Sequence, residues 1–366
     1  MMRPRVIMEP ARSPPHLNKY IDIVVRSLEG EGIDVIGSSL LPRSADAVHI
    51  HWPEHLFQPA SLSGRLGLCR VRARTFLRDV DRVRSLGGRL VWTVHNLEPH
   101  RQLTGQMGAD LREFESALLQ RLDVFASLTE AGVALARDRI PGLRKVPAIV
   151  ARHPHYRSIE HGRTPPFCRS VLGLSEEAWV IGIIGVASRY KGVIALAEAF
   201  SGSRDPRLRL FVAGAADVTD RLLLGSMAAK DPRIVLRFEH LSDAQVVGLH
   251  RLVDAVAFNG GGLNSGSIVM ALSQNLPLIA PMSAVNAEMA RLVGPEWTAL
   301  FTPPLSSEGF QAAVETLRSG RRESVCPMDA FAPSLGAKAL AQAYFGDLPQ
   351  ATLSENDPCN KRVATS

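Results

Sequence analysis

Short apolar runs of strand length alternate with segments of helical period almost from one end of this chain to the other. That alternation is the sequence sign of repeated β-α units and parallel sheets. The runs predict strands near 6–8, 34–36, 48–51, 90–94, 124–128 and 146–151, with helices between them. The segment 159–166, carrying Gly162, Pro165 and Pro166, interrupts the pattern and reads as a linker. The alternation then restarts, with strands expected near 180–184, 208–213, 234–238, 255–258, 278–280 and 299–301. The expected fold class is therefore α/β, with two Rossmann-like domains facing each other across a cleft. The first spans 1–160 and the second 161–347, and a polar tail at 348–366 is expected to be disordered. A weakly patterned helix near 335–344 could cross back from the end of the second domain.

Composition agrees with this organisation: 366 residues, 46% of them hydrophobic and 21% charged, supply two ordinary cores. The longest uncharged apolar stretch, 178–187, is about half the roughly 20 residues of a spanning helix, and the start MMRPRVIMEP has no apolar signal core. The expectation is a chain that is neither secreted nor integral to a membrane. Four widely separated cysteines, Cys69, Cys168, Cys326 and Cys359, form no C-x-x-C pair, which fits a reducing, cytoplasmic compartment. The net charge of +6 resides wholly in residues 1–160, where 23 Lys and Arg face 17 Asp and Glu; the remainder holds 19 of each.

In open parallel sheets the ligand lies beyond the carboxyl ends of the strands, so the residues following each strand carry most of the functional information. Two such places lie in the first half. The strand VHIHWPEH runs into His51, Trp52, Glu54 and His55, and LVWTVHNLEPH runs into His95, Asn96, Glu98 and His100. Imidazoles and carboxylates at two neighbouring strand ends suit a sugar site with a general base. Catalytic candidates are thus Glu98, Glu54, His95 and His51, with Glu98 placed slightly ahead of Glu54. Trp52 and Asn96 are candidates for acceptor binding. A zinc pair at His49 and His51 is the weaker alternative, because no further ligands stand at a recognisable spacing.

The second half carries a matching pair of signals. The strand IGIIG, ending in Gly185, leads into VASRYKGVIALAEAF, where Arg189 and Lys191 precede a helix. Farther on, FNGGGLNSGSIVMALSQNLPLIAP places Gly262, Asn264, Ser265, Gly266 and Ser267 where another helix begins after a strand. Cations and free helix N–H groups at two helix starts meet the physical requirement for holding a diphosphate. A P-loop and a G-x-G-x-x-G fingerprint are both absent. The string Asp79-Val80-Asp81 falls in an arginine-rich helical stretch, where residues two apart point to different faces. That stretch, 65–89, carries eight arginines and reads either as a solvated face or as a surface for anionic lipid. Nucleic acid is not an expected partner, since aromatics are few and no binding motif occurs.

Taken together, Asn18-Lys19-Tyr20, VHIHWPEH, VWTVHNLEPH, HPHYR at 153–157, RYKGVIALAEAF and LNSGSIVMALSQNLPLIAP resemble the GT-B-fold glycosyltransferases of bacterial exopolysaccharide assembly. The resemblance implies a nucleotide-sugar donor held by the second domain and an acceptor held by the first, with Asn18 and Tyr20 among the acceptor contacts. It implies no required metal and no cofactor beyond the nucleotide diphosphate sugar itself. Many retaining members carry two glutamates eight positions apart on the donor-side glycine loop, and here those positions are Gly262 and Met270. Without them the pattern is similar to the xanthan-type β-1,4-mannosyltransferases, which use GDP-mannose and invert. The expected partners are a polyprenyl-diphosphate-linked saccharide and an anionic membrane at the inner face. A UDP-glucose or UDP-glucuronate enzyme, a catalytically silent sugar-nucleotide-binding subunit and an epimerase on the same fold are the competing readings.

Overall fold

The computed structural model describes residues 3–11, 18–39, 44–57, 66–98, 103–158, 167–186, 191–260 and 265–348. The predicted linker 159–166 and the tail from residue 349 lie outside them. The chain divides into two compact units, Met1–His153 with Pro333–Ser366, and Pro154–Ala332.

Unit 1 is built on a six-stranded sheet of β1 (Arg5–Glu9), β2 (Asp34–Gly37), β3 (Ala47–Ile50), β4 (Arg89–Thr93), β5 (Val124–Ser127) and β6 (Ala148–Val150). Its order is β2-β1-β3-β4-β5-β6 and every pairing is parallel. Between the strands run α1 (Lys19–Gly30), α2 (Leu66–Ser85), α3 (Gly105–Leu119) and α4 (Glu130–Arg139). Helix α1 starts where Asn18 Oδ1 accepts the Tyr20 amide at 3.0 Å, satisfying one of the orphan donors of the first turn. Its buried stripe, Tyr20, Ile21, Val24, Val25 and Leu28, recurs at helical spacing and lies on the sheet.

Unit 2 repeats the plan with β7 (Trp179–Ile184), β8 (Leu208–Ala213), β9 (Ile234–Arg237), β10 (Ala255–Ala257), β11 (Leu278–Pro281) and β12 (Thr298–Phe301). The order is β12-β11-β10-β7-β8-β9, again all parallel. The intervening helices are α5 (Val193–Ser201), α6 (Val218–Lys230), α7 (Asp243–His250), α8 (Gly266–Ser273), α9 (Ala284–Val293) and α10 (Ser307–Ser319). Leu196, Phe200, Phe310, Val314 and Leu317 from α5 and α10 close one face of this sheet.

All twelve expected strands form, each within about two residues of its predicted ends. The domain boundaries differ. The second domain was expected to reach to 347, yet the last helix, α11 (Pro333–Phe345), crosses back to unit 1, as the weakly patterned segment near 335–344 allowed, and the first crossing lies at His153/Pro154 instead of residue 160. The physical reason is burial. Ala337, Leu340, Ala343 and Tyr344 complete the core formed by α1 with Val6, Met8, Val91 and Val124, which would otherwise leave one sheet face open. Arg89 on β4 donates to the carbonyls of Ala343 (3.2 Å) and Gly346 (2.6 Å), satisfying the end of α11.

Leu340→Ala should therefore destabilise unit 1, by about 2–5 kcal/mol for a fully buried leucine. Urea unfolding followed by tryptophan fluorescence checks this, because Trp52 and Trp92 report on unit 1 and Trp179 and Trp297 on unit 2. The expected outcome is an earlier transition for the first pair only.

Candidate functional site

The order of the unit 1 sheet reverses between β1 and β3, so a crevice opens beyond their carboxyl ends, with β4 alongside. The side chains following those strands meet there. Both His49, within β3, and His51, just after it, are buried. His49 is hydrogen-bonded through Nδ1 to Tyr344 Oη at 2.6 Å and through Nε2 to Thr93 Oγ1 at 2.8 Å. Burial brings its pKa down to about 3, so the ring is neutral and both nitrogens are satisfied. The predicted zinc alternative finds no support from this pairing. Among the described residues no group of three or more His, Cys, Asp or Glu is arranged to hold a metal.

His51 and His95 form the centre of the cluster, with His51 Nδ1 3.0 Å from His95 Nε2. Burial, reinforced by the neighbouring imidazoles, holds both well below the usual histidine range. A hydrogen bond between two neutral imidazoles leaves one polar position on the outer nitrogen of each ring. Among the described residues His51 Nε2 is buried without a hydrogen-bond partner, as is Asn96 Nδ2 just beyond β4. Around this pair Trp52 stacks on His95 (ring centroids 4.2 Å, 21°) and on His55 (5.1 Å, 26°). Tyr20 presents its ring edge-on to His95 at 4.9 Å and His51 at 5.6 Å, and lies 5.0 Å from His153. An aromatic wall with unmatched polar atoms at its foot suits a ligand that has both C–H faces and hydroxyls.

Two glutamates were expected here, and the structure separates them. Glu54, in a 3-10 turn at Pro53–Leu56, is buried, and burial raises its pKa. Glu98 is exposed. Of the acceptor candidates, Tyr20, Trp52 and Asn96 adjoin the histidines, whereas the Asn18 side chain is engaged as the cap of α1. Two carboxylates were missed by the sequence reading. Glu9 ends β1, buried, with Ser38 Oγ donating to Oε2 and Arg72 Nη2 3.4 Å from Oε1; burial nevertheless raises its pKa. Its signal was available, since it is the residue at the end of the first strand. Glu115 lies on α3, four residues after buried Leu111 and next to buried Phe114. A glutamate at a core-spaced position of a helix was the available clue.

In unit 2 the sheet order reverses between β7 and β10. Gly185 follows β7 at φ 112° and Gly214 follows β8 at φ 140°, and a Cβ on Gly214 would fall 1.6 Å from the Gly185 carbonyl oxygen. Only glycine permits that approach. Lys191 is half-buried, with its pKa lowered by burial, and immediately precedes α5. Ser265 caps α8, its Oγ accepting the Ile268 amide at 3.4 Å, and Gly266 and Ser267 form the first turn. Arg189, Gly262, Asn264 and His100 lie outside the described residues. In α2, Asp79 is buried and Asp81 exposed, as expected for residues two apart on a helix.

Because the imidazoles stay neutral in the fold but take up protons once unfolded, the site gives unit 1 a definite pH dependence. For His49 the stability is fully present above about pH 6.5 and is lost as the pH falls toward about 3. The slope is roughly 1.4 kcal/mol per pH unit for each histidine that stays neutral. Urea midpoints of unit 1 at pH 7, 6 and 5 should fall steadily, and a flat profile would show that these rings are protonated in the native state.

No protein-family model matches the chain. It is 26% identical over 318 residues to the GDP-mannose:glycolipid 4-beta-D-mannosyltransferase of Xanthomonas campestris pv. campestris, an alignment covering 85% of this chain and 82% of that protein. Among solved structures, Anabaena HepE in complex with UDP superposes with a TM-score of 0.59 at 14% identity, covering 93% of this chain and 95% of that one. Sucrose-phosphate synthase from Thermosynechococcus elongatus gives 0.57 at 13%, covering 94% and 95%. The chain thus has the fold of the GT-B glycosyltransferases and, in sequence, resembles the xanthan-type β-1,4-mannosyltransferases.

Proposed function

We propose that this chain is a hexosyltransferase of exopolysaccharide assembly that moves mannose from GDP-mannose, with inversion, onto a lipid-linked oligosaccharide at the cytosolic membrane face. The observation that carries the reading is the 318-residue likeness to the Xanthomonas mannosyltransferase, which is long enough to enter both units. Unit 2 holds the donor: Lys191 and the amides opening α5 and α8 balance the diphosphate charge. Unit 1 holds the acceptor sugar against Trp52 and Tyr20, with His51 and Asn96 matched by its hydroxyls. Glu54 removes the proton of the attacking hydroxyl as the new C–O bond forms at the anomeric carbon. The bond to the diphosphate breaks with its electron pair leaving on the nucleotide. No metal is required, since fixed cations and helix amides supply the positive charge.

Turnover of GDP-mannose with a polyprenyl-diphosphate-linked acceptor tests this directly. Glu54→Gln should lose about two to four orders of magnitude in rate with donor binding kept, and Glu98→Gln far less. Turnover of UDP-glucose alone, or a product of retained anomeric configuration, would overturn the assignment.

A lipid-linked acceptor would bring the enzyme to a membrane, and the exposed face of α2 supports that reading. No helix among the described residues is long and apolar enough to cross a membrane. Arg70, Arg72 and Arg84 are paired with Asp110, Glu9 and Asp123 of their own unit. Arg74, Arg78 and Arg82 instead form an exposed stripe at four-residue spacing, with exposed Val71 and Leu86 at its ends. Replacing these three arginines by glutamine should lower co-sedimentation with phosphatidylglycerol vesicles roughly a hundredfold at low salt, and the difference should shrink as salt rises.

A further inference from the structure

The hydrogen bond between His51 Nδ1 and His95 Nε2 has a direction, and the packing around it sets that direction. His49 lies against His51 with ring centroids 4.1 Å apart, but it offers His51 no polar partner. Tyr344 is buried, and His49 Nδ1 is the one hydrogen-bond partner of its hydroxyl among the described residues. The Tyr344 O–H is therefore donated to Nδ1, which puts the His49 proton on Nε2, where Thr93 Oγ1 accepts it at 2.8 Å. Both His49 nitrogens are thus occupied, and among the described residues His95 is the one hydrogen-bond partner left to the His51 ring. We propose that His51 donates its Nδ1–H to His95 Nε2 and so fixes the His95 proton on Nδ1, where it serves as a hydrogen-bond donor to an oxygen of the bound acceptor sugar. His51 is then also a positioning residue, acting through His95. The part played by the sugar rests on the transferase reading above, although the placement of the protons does not.

Two placements satisfy the 3.0 Å contact between two neutral rings. If His95 donates from Nε2, the His51 proton must sit on its own Nε2. That atom is sealed, in a ring only 1% exposed, with no hydrogen-bond partner among the described residues, so this placement orphans an N–H in the core. Orphaned N–H groups are rarer in folded proteins than under-used acceptors. The other placement leaves only a lone pair on His51 Nε2 and carries the N–H to His95, which is 7% exposed and whose Nδ1 is not sealed in the same way. Burial keeps both rings neutral, so no third proton disturbs the arrangement. Trp52, stacked on His95 at 4.2 Å, and Tyr20, edge-on at 4.9 Å, hold the plane of that imidazole and with it the direction of its donor. These are the rings against which the acceptor sugar is held in the transferase reading, so the aromatic wall and the His95 N–H meet the same ligand.

Nitrogen NMR of the full-length protein, labelled on its histidine rings, tests the proton placement without substrate. The long-range proton–nitrogen patterns should show His51 and His95 protonated on Nδ1 and His49 on Nε2. A wild-type spectrum with His95 protonated on Nε2 would overturn the proposal, and no variant has to fold for that result. Two variants then test the positioning. His51→Leu removes the donor, and the His95 proton should move to Nε2; His51→Asn, whose amide N–H stands about where Nδ1–H stood, should hold it on Nδ1. Both variants lack the outer nitrogen, so any contact of Nε2 with the sugar is lost in both, and their difference reads the donor to His95 alone. With GDP-mannose saturating, kcat/KM for the polyprenyl-diphosphate-linked acceptor should be about tenfold higher in His51→Asn than in His51→Leu, with the same KM for GDP-mannose in both. A merely structural histidine would lower stability without moving the His95 proton. Equal acceptor kcat/KM in the two variants, with the His95 proton placed as stated, overturns the positioning role. If no nucleotide sugar turns over at all, the transferase reading is what fails, and the spectrum by itself decides the proton placement.

Discussion

A parallel sheet must be covered on both faces, and all its strands end on the same side; the rest of this molecule follows from those two facts. In unit 1 the cover over one face is finished only by α11, which arrives from the far end of the sequence to join α1. The same helix brings Tyr344 to His49, so the closing of the core also settles the innermost member of the histidine cluster. Core and site are one construction here, since the hydrogen bond that satisfies a buried ring belongs to the helix that buries it.

Burial then decides the chemistry at the strand ends. Imidazoles in water would be partly charged near neutral pH, but His49, His51 and His95 are packed among aromatic rings and are kept neutral. As neutral groups they orient and hydrogen-bond; they do not supply charge. Carboxylates in the same surroundings gain proton affinity, as Glu9, Glu54 and Glu115 do. One dry environment thus acts oppositely on two kinds of acid, lowering the imidazoles and raising the carboxyls.

Unit 2 reaches a ligand-ready sheet edge by different means. Its equivalent crevice is shaped by backbone, with Gly185 and Gly214 in contact and two helices beginning close by, and its cation, Lys191, is half-buried. Such a site needs few particular side chains.

The sequence by itself determined the two sheets, because each buried strand is a continuous apolar run and each intervening helix keeps its own period. It also marked His51, Trp52, Glu54, His95 and Asn96, since they directly follow apolar strands and polar residues there have few structural uses. It could not choose between Glu54 and Glu98. Both follow a strand by a few residues, and the packing of α2 and α3 against the 3-10 turn buries the first while the second remains exposed. Tyr344 was illegible for the same reason: its partner His49 lies 295 residues away. Local pattern records which face of an element is buried, but which charged groups end up sharing that buried space is decided by contacts between elements, and no short stretch of sequence carries those.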